Sequence, residues 1–219
     1  MSQARRLVEA AIRRAASYGM VTEAGITVFL DTMLQLGVSF DDDPQYVFAA
    51  RVLRDPGLSE AARARMLSAK VERHTAVVRG GDGELLLAAF DRFRRFPVLW
   101  DWEPEICYGE ELSRALHDLY PRKCARLGPK RLDELVLLSA SKAAAWGVNT
   151  ASGQAGLAAM MLLGGAGVLE DPRFPFLLDA AELTSGVEPE KRITRLRAAM
   201  EKDIECRQGW QAEVAHGHR

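Results

Sequence analysis

Three consecutive aspartates, Asp41 to Asp43, form the longest run of acidic residues in the sequence and are followed by Pro44. Adjacent carboxylates could bind a metal ion, but a calcium loop places oxygen ligands at alternate positions around a glycine turn, which DDDP does not. Aspartate before proline is instead typical of a helix start, because aspartate accepts a hydrogen bond there and proline lacks the unpaired donor. We therefore predict that Asp43 and Asp171, each of which precedes a proline, cap helices without a bound ion, and that replacing Asp43 by alanine costs about 1 kcal/mol.

A second acidic group lies in the segment PVLWDWEPEICYGEE, Pro97 to Glu111, where acids alternate with tryptophan and proline. The acids of Asp101–Glu105 could form the acid–base pair of a small hydrolase, because an apolar wall raises the pKa of one carboxyl. Alternatively, the loop buries its tryptophans in the core and leaves the acids in water. If the segment is exposed, it predicts a protein contact, since tryptophan and tyrosine concentrate binding energy. The residues of this predicted contact are Trp100, Trp102, Glu103, Glu105 and Tyr108.

The other reactive side chains show no catalytic, cofactor-binding or metal-binding spacing. His74 and His117 fall on predicted helices without a second ligand nearby, so we expect both to be partly exposed. The three cysteines are widely spaced and odd in number, which predicts reduced thiols in a cytoplasmic protein. The glycine-rich stretches at Gly80 and Gly164 lack the preceding strand of a phosphate loop. We predict no cofactor, no metal and no enzymatic activity.

The overall composition limits the kinds of molecule that the protein is expected to bind. Of the 219 residues, 48% are hydrophobic and 27% are charged, which is typical of a globular domain rather than a disordered chain. The formal net charge of −1 provides no field that would attract nucleic acid or an anionic membrane. Arginines interrupt the apolar positions of the N-terminal stretch, so it does not have the pattern of a secretion signal.

The sequence contains an internal repeat with an offset of 128 residues. Without a gap, Ala4 to Phe48 aligns with Leu132 to Phe176, and most identical pairs are glycines, helix caps or apolar residues. Both copies have amphipathic spacing that ends at an aromatic–glycine pair, followed by a threonine, Thr22 or Thr150, that begins another helix. We predict that this second helix stops at Gly37 in the first copy and near Gly164-Gly165 in the second. No stretch alternates with the period of a strand. The sequence thus predicts an all-α, multi-helix bundle with pseudo-twofold symmetry.

The predicted units pack as one globular domain. Residues 1–75 form the first helical unit, 76–128 a connecting helical and loop segment, 129–209 the second unit and 210–219 a tail. The apolar stripes of the first unit are expected on Leu7, Val8, Ala11, Ile12 and Ala15, and on Ile26, Phe29, Leu30, Met33 and Leu34. Predicted helices also run from Pro44 to Leu53, from Pro172 to Leu183, from Ser59 to about Thr75 and from Pro189 to about Gln208.

The two copies differ in one apolar stretch. Residues 143–169 carry no charge, whereas the equivalent part of the first copy contains acids. Polar residues between Asn149 and Gln154 shorten the apolar run below the roughly twenty residues of a membrane span. We therefore predict a fully buried helix here, with a partner-facing helix as the alternative.

Several motifs of the two copies resemble helical proteins and domains associated with bacterial type VI secretion effectors and their adaptor-chaperones. The connecting segment contributes Tyr120-Pro121, Cys124 and Leu127-Gly128, and the second copy contributes Trp146-Gly147 and Asp171-Pro172. The first contributes Tyr18-Gly19, Gly37, Phe40, Asp41, Asp43-Pro44 and Ala49-Ala50. The resemblance covers about two-thirds of the chain and implies a cytoplasmic accessory that binds another protein, either an effector or a spike component. The alternatives are an immunity protein that neutralises a toxin and the small hydrolase described above.

Overall fold

A computed structural model describes residues 3–95, 108–148, 150–182 and 187–216, and all regular secondary structure in these ranges is helical. The all-α prediction is confirmed. The α-helices are α1 (Gln3–Ser17), α2 (Glu23–Leu36), α3 (Val47–Leu53), α4 (Glu60–Arg79), α5 (Glu84–Arg95), α6 (Tyr108–Leu119), α7 (Pro121–Leu127), α8 (Pro129–Ala145), α9 (Ala151–Gly164), α10 (Pro175–Glu182) and α11 (Pro189–His216). Short 3₁₀ turns occupy Pro44–Tyr46 and Val168–Glu170.

The buried apolar side chains form two clusters that follow the two predicted units. One cluster comes from α1 to α4 and the loops between them, and centres on Phe29, Met33 and Phe40. The other comes from α5 to α11 and includes the leucines of α6. The connecting segment therefore belongs to the second core rather than lying between the two.

Helix α9 is the buried helix predicted from its lack of charge. Every residue from Ala155 to Gly164 is buried, and the helix packs against α5, α6, α8 and α11. Its glycines and alanines leave room for these neighbours to approach closely. None of the described helices is both long and apolar enough to cross a membrane.

The 128-residue offset of the sequence recurs in the helix bounds. Helices α2 and α9 begin and end 128 positions apart, as do the first residues of α3 and α10. The caps match as well, because the hydroxyl oxygens of Thr22 and Thr150 accept from the amides of Gly25 and Gly153, each at 3.1 Å. An origin by duplication, and the superposition of the two backbones, stay predictions.

An arginine from the following long helix reaches the same turn in each unit. Arg63 of α4 donates to the carbonyl oxygen of Tyr18 at 2.8 Å, and Arg192 of α11 donates to that of Trp146 at 2.6 Å. The arginines are 129 positions apart, so the second unit contains one extra residue before its long helix. Each guanidinium therefore links the C-terminal end of the first helix of its unit to the last helix of that unit.

Several predicted bounds were wrong. Helix α4 continues to Arg79, and α11 continues to His216 through most of the predicted tail. The helix expected from Pro172 begins only at Pro175, because a proline disfavours helical backbone at the residue before it. Asp171 therefore does not cap this helix; it accepts from the amide of Arg173 within the preceding turn.

The predicted apolar stripe of the first unit was too wide. Leu7, Ala11 and Ala15 are buried, but Val8 is 41% exposed and Ile12 is 45% exposed. On α2, Phe29 and Met33 are buried, whereas Leu34 is 48% exposed. Helical spacing predicted which apolar residues lie along one side of each helix, but it did not predict how many of them pack against another helix.

Candidate functional site

The predicted protein contact lies mostly outside the described residues. Trp100, Trp102, Glu103 and Glu105 fall in the range 96–107, and so does Asp101 of the alternative hydrolase. Tyr108 begins α6, and its backbone alone is described. The predicted contact and the predicted acid pair both stay predictions.

The aspartate run has three separate structural roles. Asp41 is buried and accepts from the guanidinium of Arg14 and, at 3.0 Å, from the hydroxyl of Tyr18, so it fastens α1 to the loop. Asp42 is exposed and pairs with Arg54. Asp43 begins the 3₁₀ turn by accepting from the amide of Gln45 at 2.9 Å, which is the predicted capping contact.

Asp43 also reaches across to the second unit, which a cap alone does not require. Its Oδ2 accepts from the amide of Ala166 at 2.6 Å, and Asp171 accepts from the amide of Val38 at 3.3 Å. The donors Val38 and Ala166 are 128 residues apart, and so are the acceptors Asp43 and Asp171. Each unit therefore supplies a carboxylate that accepts a hydrogen bond from a loop of the other unit. Burial raises the pKa of Asp43, while the amide donors of Gln45 and Ala166 act in the opposite direction.

The backbones of the two units touch between these bonds. A Cβ on Gly37 would lie 2.8 Å from the carbonyl oxygen of Gly164, and a Cβ on Gly165 would lie 2.9 Å from that of Leu36. Both glycines have positive φ, at +123° and +98°. Close approach and backbone conformation each require glycine at these two positions.

Arg173 of the second unit binds at the same contact between the two units, which we call the junction. Its guanidinium binds Asp171 with a shortest distance of 2.6 Å and also donates to the carbonyl oxygens of Leu34 and Gly164, each at 2.9 Å. The side chain of Asp171 has no solvent exposure. A buried ion pair with further hydrogen bonds of this kind fixes the relative position of the two units.

Lys123 of α7 lies buried behind the junction, which nothing in the surrounding sequence predicts. Its Nζ donates to the hydroxyl of Tyr46 at 3.0 Å and to the carbonyl oxygen of Leu162 at 2.5 Å. Burial lowers the pKa of Lys123 to about 8, while the charge of Asp43 acts in the opposite direction. A lysine with such a pKa can serve as a base or nucleophile in a site that admits substrate.

The space around Lys123 does not admit an organic substrate. The cavity that it lines with Tyr46, His74 and Arg79 has a volume of about 30 Å³. This volume accommodates one or two water molecules. Lys123 therefore acts here as a structural donor that joins α7, the 3₁₀ turn and α9.

His74 lines the same cavity and is buried, which corrects the prediction of a partly exposed side chain. Its ring packs edge-on against Tyr46, with centroids 5.4 Å apart, and lies 5.2 Å from the ring of Phe48. The buried Nε2 has no hydrogen-bond partner among the described residues. Burial, reinforced by the charge of Lys123, lowers the pKa of His74 to about 3.

Replacing His74 with phenylalanine should flatten the acid dependence of stability. An unfolded chain binds a proton at His74 near pH 6.5, whereas the folded protein does so only near pH 3, so acidification within this window favours unfolding. Urea unfolding at pH 7, 5.5 and 4.5 should show a wild-type loss, relative to H74F, of up to about 1.4 kcal/mol per pH unit. Replacing His117, which is exposed, with glutamine is the matched control for the removal of one histidine. Parallel curves for wild type and H74F would contradict the assignment.

The remaining candidate groups are possible metal ligands and the cysteine thiols. No group of three or more histidine, cysteine, aspartate or glutamate side chains in them is arranged to hold a metal ion. Burial raises the pKa of Cys124 to about 12, and its thiol donates to the carbonyl oxygen of Leu116. Cys206 is exposed, and Cys107 lies outside the described residues.

The most distinctive surface is the outer flank of the α1–α2 pair, which has Val8 and Ile12 on α1 and Leu34 on α2. At the equivalent positions of the second unit, Val136 is 8% exposed, Leu162 is fully buried and Ala140, the counterpart of Ile12, is half-buried. Helix α6 packs against both α8 and α9, whereas α1 packs chiefly against α2. The first unit therefore exposes a face that the second unit keeps covered.

A groove of about 570 Å³ follows the other flank of α1. Arginines of α1 line one side of it, and Trp146, Leu169 and Leu178 of the second unit line the other. One of these arginines, Arg14, is already held by Asp41. The groove separates α1 from the second unit, so the contact surface of α1 is open on both flanks.

No family model, curated protein or solved structure matches the chain. The resemblance to type VI secretion accessories therefore rests on the sequence motifs alone. The site residues above follow from the geometry of this chain.

Proposed function

We propose that this protein is a non-enzymatic accessory that binds another protein, as an adaptor or chaperone-like factor for a type VI secretion effector or spike component. The observation that carries the proposal is the exposed apolar flank of α1–α2. Single exposed apolar residues are common on protein surfaces, but here three of them lie on neighbouring flanks of two packed helices. Val136 and Leu162, the counterparts of Val8 and Leu34, are buried in the second unit, which indicates that such a flank is stable when a helix covers it.

The motifs support the secretion role, and the fold supports the binding role. Aromatic–glycine and Asp-Pro motifs similar to those of type VI accessories occur in both copies, where they end helices and build the junction. Both halves are thereby held as one rigid scaffold. A rigid scaffold with an exposed apolar surface binds a partner without a large loss of conformational entropy.

The proposal is tested by co-expression of the protein with the products of neighbouring genes, followed by size-exclusion chromatography and a secretion assay. An adaptor should co-elute with one of these products, and deletion of its gene should abolish secretion of that product. Rescue of cells from a neighbouring toxin, with no effect on secretion, would instead favour an immunity protein. Failure to form a complex with any neighbouring product would overturn the proposed function.

The tryptophan segment remains a proposed contact for this partner. Replacing Trp100 and Trp102 with alanine should weaken partner binding at least tenfold, or by about 1.4 kcal/mol, because buried tryptophans are frequent binding hot spots. Circular dichroism should show an unchanged helical fold. Unfolding of the double variant would place both rings in the core, and unchanged affinity in a folded variant would remove this segment from the interface.

A further inference from the structure

We propose that the outer groove between α1 and α2 binds one amphipathic helix of the partner protein, in the manner in which α6 packs on α8 and α9. This inference rests on the proposed function in one respect, namely that the chain binds another protein. It adds where the partner binds and what structure the partner presents.

The second unit shows what covers such a groove. Helix α6 lies against both α8 and α9 and buries Leu112, Leu116 and Leu119 completely. These leucines have the i, i+4, i+7 spacing of one helical face. They belong to the same hydrophobic cluster as Val136 and Leu162, the counterparts of Val8 and Leu34.

The geometry of the first unit fits a helix in the same place. Val8 and Ile12 are one turn apart on α1, beside the buried face formed by Leu7 and Ala11. On α2, the partly buried Leu30 and the exposed Leu34 are likewise one turn apart, beside the buried Met33. Two such rows on adjacent helices form the walls of a groove that accepts the ridge of a third helix.

The arginines of α1 do not determine the charge of the partner helix. Arg6, Arg13 and Arg14 line the groove on the other flank of α1, and Arg5 pairs with Glu9. The outer α1–α2 groove therefore recognises the partner helix through its apolar face.

A peptide with the α6 sequence is a direct probe of the groove. The synthetic peptide spans Tyr108–Leu119, with lysine in place of Arg114 so that a lactam bridge to Asp118 stabilises the helix on the side away from its leucines. Such a constraint is needed because a helix of this length is marginal alone in water. Fluorescence anisotropy of the labelled peptide should show saturable binding to the intact protein. A peptide with serine at positions 112, 116 and 119 should not bind.

The matching variant of the protein replaces Val8, Ile12 and Leu34 with glutamine, which is a good helix former. These side chains are half-exposed, so thermal unfolding should change little. Affinity for the peptide, and for the partner protein, should fall at least about tenfold. The matched control is Leu137→Gln, which changes an apolar residue of α8 that is 70% exposed and distant in position from the groove. It should leave both affinities within about twofold.

Three results would overturn the inference. The first is unchanged partner affinity in the folded triple variant, in which case the proposed function stands and the groove is not its site. The second is failure of the bridged peptide to bind the wild-type protein. The third is a wild-type dimer that the triple variant converts to a monomer, since the flank would then pair two copies of this chain. If the peptide binds as expected but no neighbouring product forms a complex, the proposed function fails and the helix-binding groove stands.

Discussion

Replacing Asp43 with alanine should lower the free energy of unfolding by about 3–5 kcal/mol. This loss is several times that of an ordinary helix cap. The Asp43 carboxylate accepts from the amide of Gln45, from the side-chain nitrogen of Gln45 and from the amide of Ala166. All three bonds are buried, so alanine leaves the amides of Gln45 and Ala166 without this acceptor and away from water, while the side-chain nitrogen of Gln45 keeps its bond to the carbonyl oxygen of Met161. It also removes a negative charge that opposes the lowering of the pKa of the buried Lys123.

Chemical unfolding followed by circular dichroism measures this loss. The substitution Asp43→Asn should not restore stability, because both oxygens of Asp43 accept from N–H groups and an amide offers only one oxygen. The matched control is Asp42→Ala, which breaks an exposed ion pair with Arg54 and should cost less than about 1 kcal/mol. A loss near 1 kcal/mol for Asp43→Ala would mean that the carboxylate acts as a local cap and that the bond to Ala166 contributes little.

The sequence predicted the local parts of the fold well, because these depend on neighbouring residues. Thr22 and Thr150 identified the starts of α2 and α9, and Gly37 and Gly165 identified their ends. The absence of charge in α9 correctly predicted a helix buried on all sides. Capping and burial of this kind are determined by side chains within one or two helical turns.

Contacts between distant segments could not be predicted in the same way. The bond from Asp43 joins positions 123 residues apart, and a cap motif looks the same whether or not a second donor is present. Lys123 lies in a charged stretch, PRKCARL, that is typical of an exposed helix, yet the helix buries that lysine. The exposure of Val8 and Ile12 likewise depends on whether another helix covers them, which their spacing does not encode.

A second large loss of stability is expected from Gly165→Ala. The residue has φ +98° and ψ 164°, a conformation that only glycine adopts readily, so alanine carries backbone strain of about 1–3 kcal/mol. Its Cβ would also lie 2.9 Å from the carbonyl oxygen of Leu36 and 3.5 Å from the Cα of Gly37. Both are backbone atoms of the other unit and cannot turn aside. Separating the two backbones should add about 1–3 kcal/mol and loosen the bond from Asp43 to Ala166.

Comparison of Gly165→Ala with Gly128→Ala separates the steric clash from the backbone strain. Gly128 has φ +75° and ψ 165°, and no atom lies within 4 Å of the place where its Cβ would be, so its replacement introduces strain without a clash. Chemical unfolding should therefore show a loss for Gly165→Ala that exceeds the loss for Gly128→Ala by at least about 1 kcal/mol. Hydrogen exchange at the Ala166 amide should also increase in the Gly165 variant alone. Equal losses, with unchanged protection of that amide, would show that the contact between Gly37 and Gly165 does not hold the two units together.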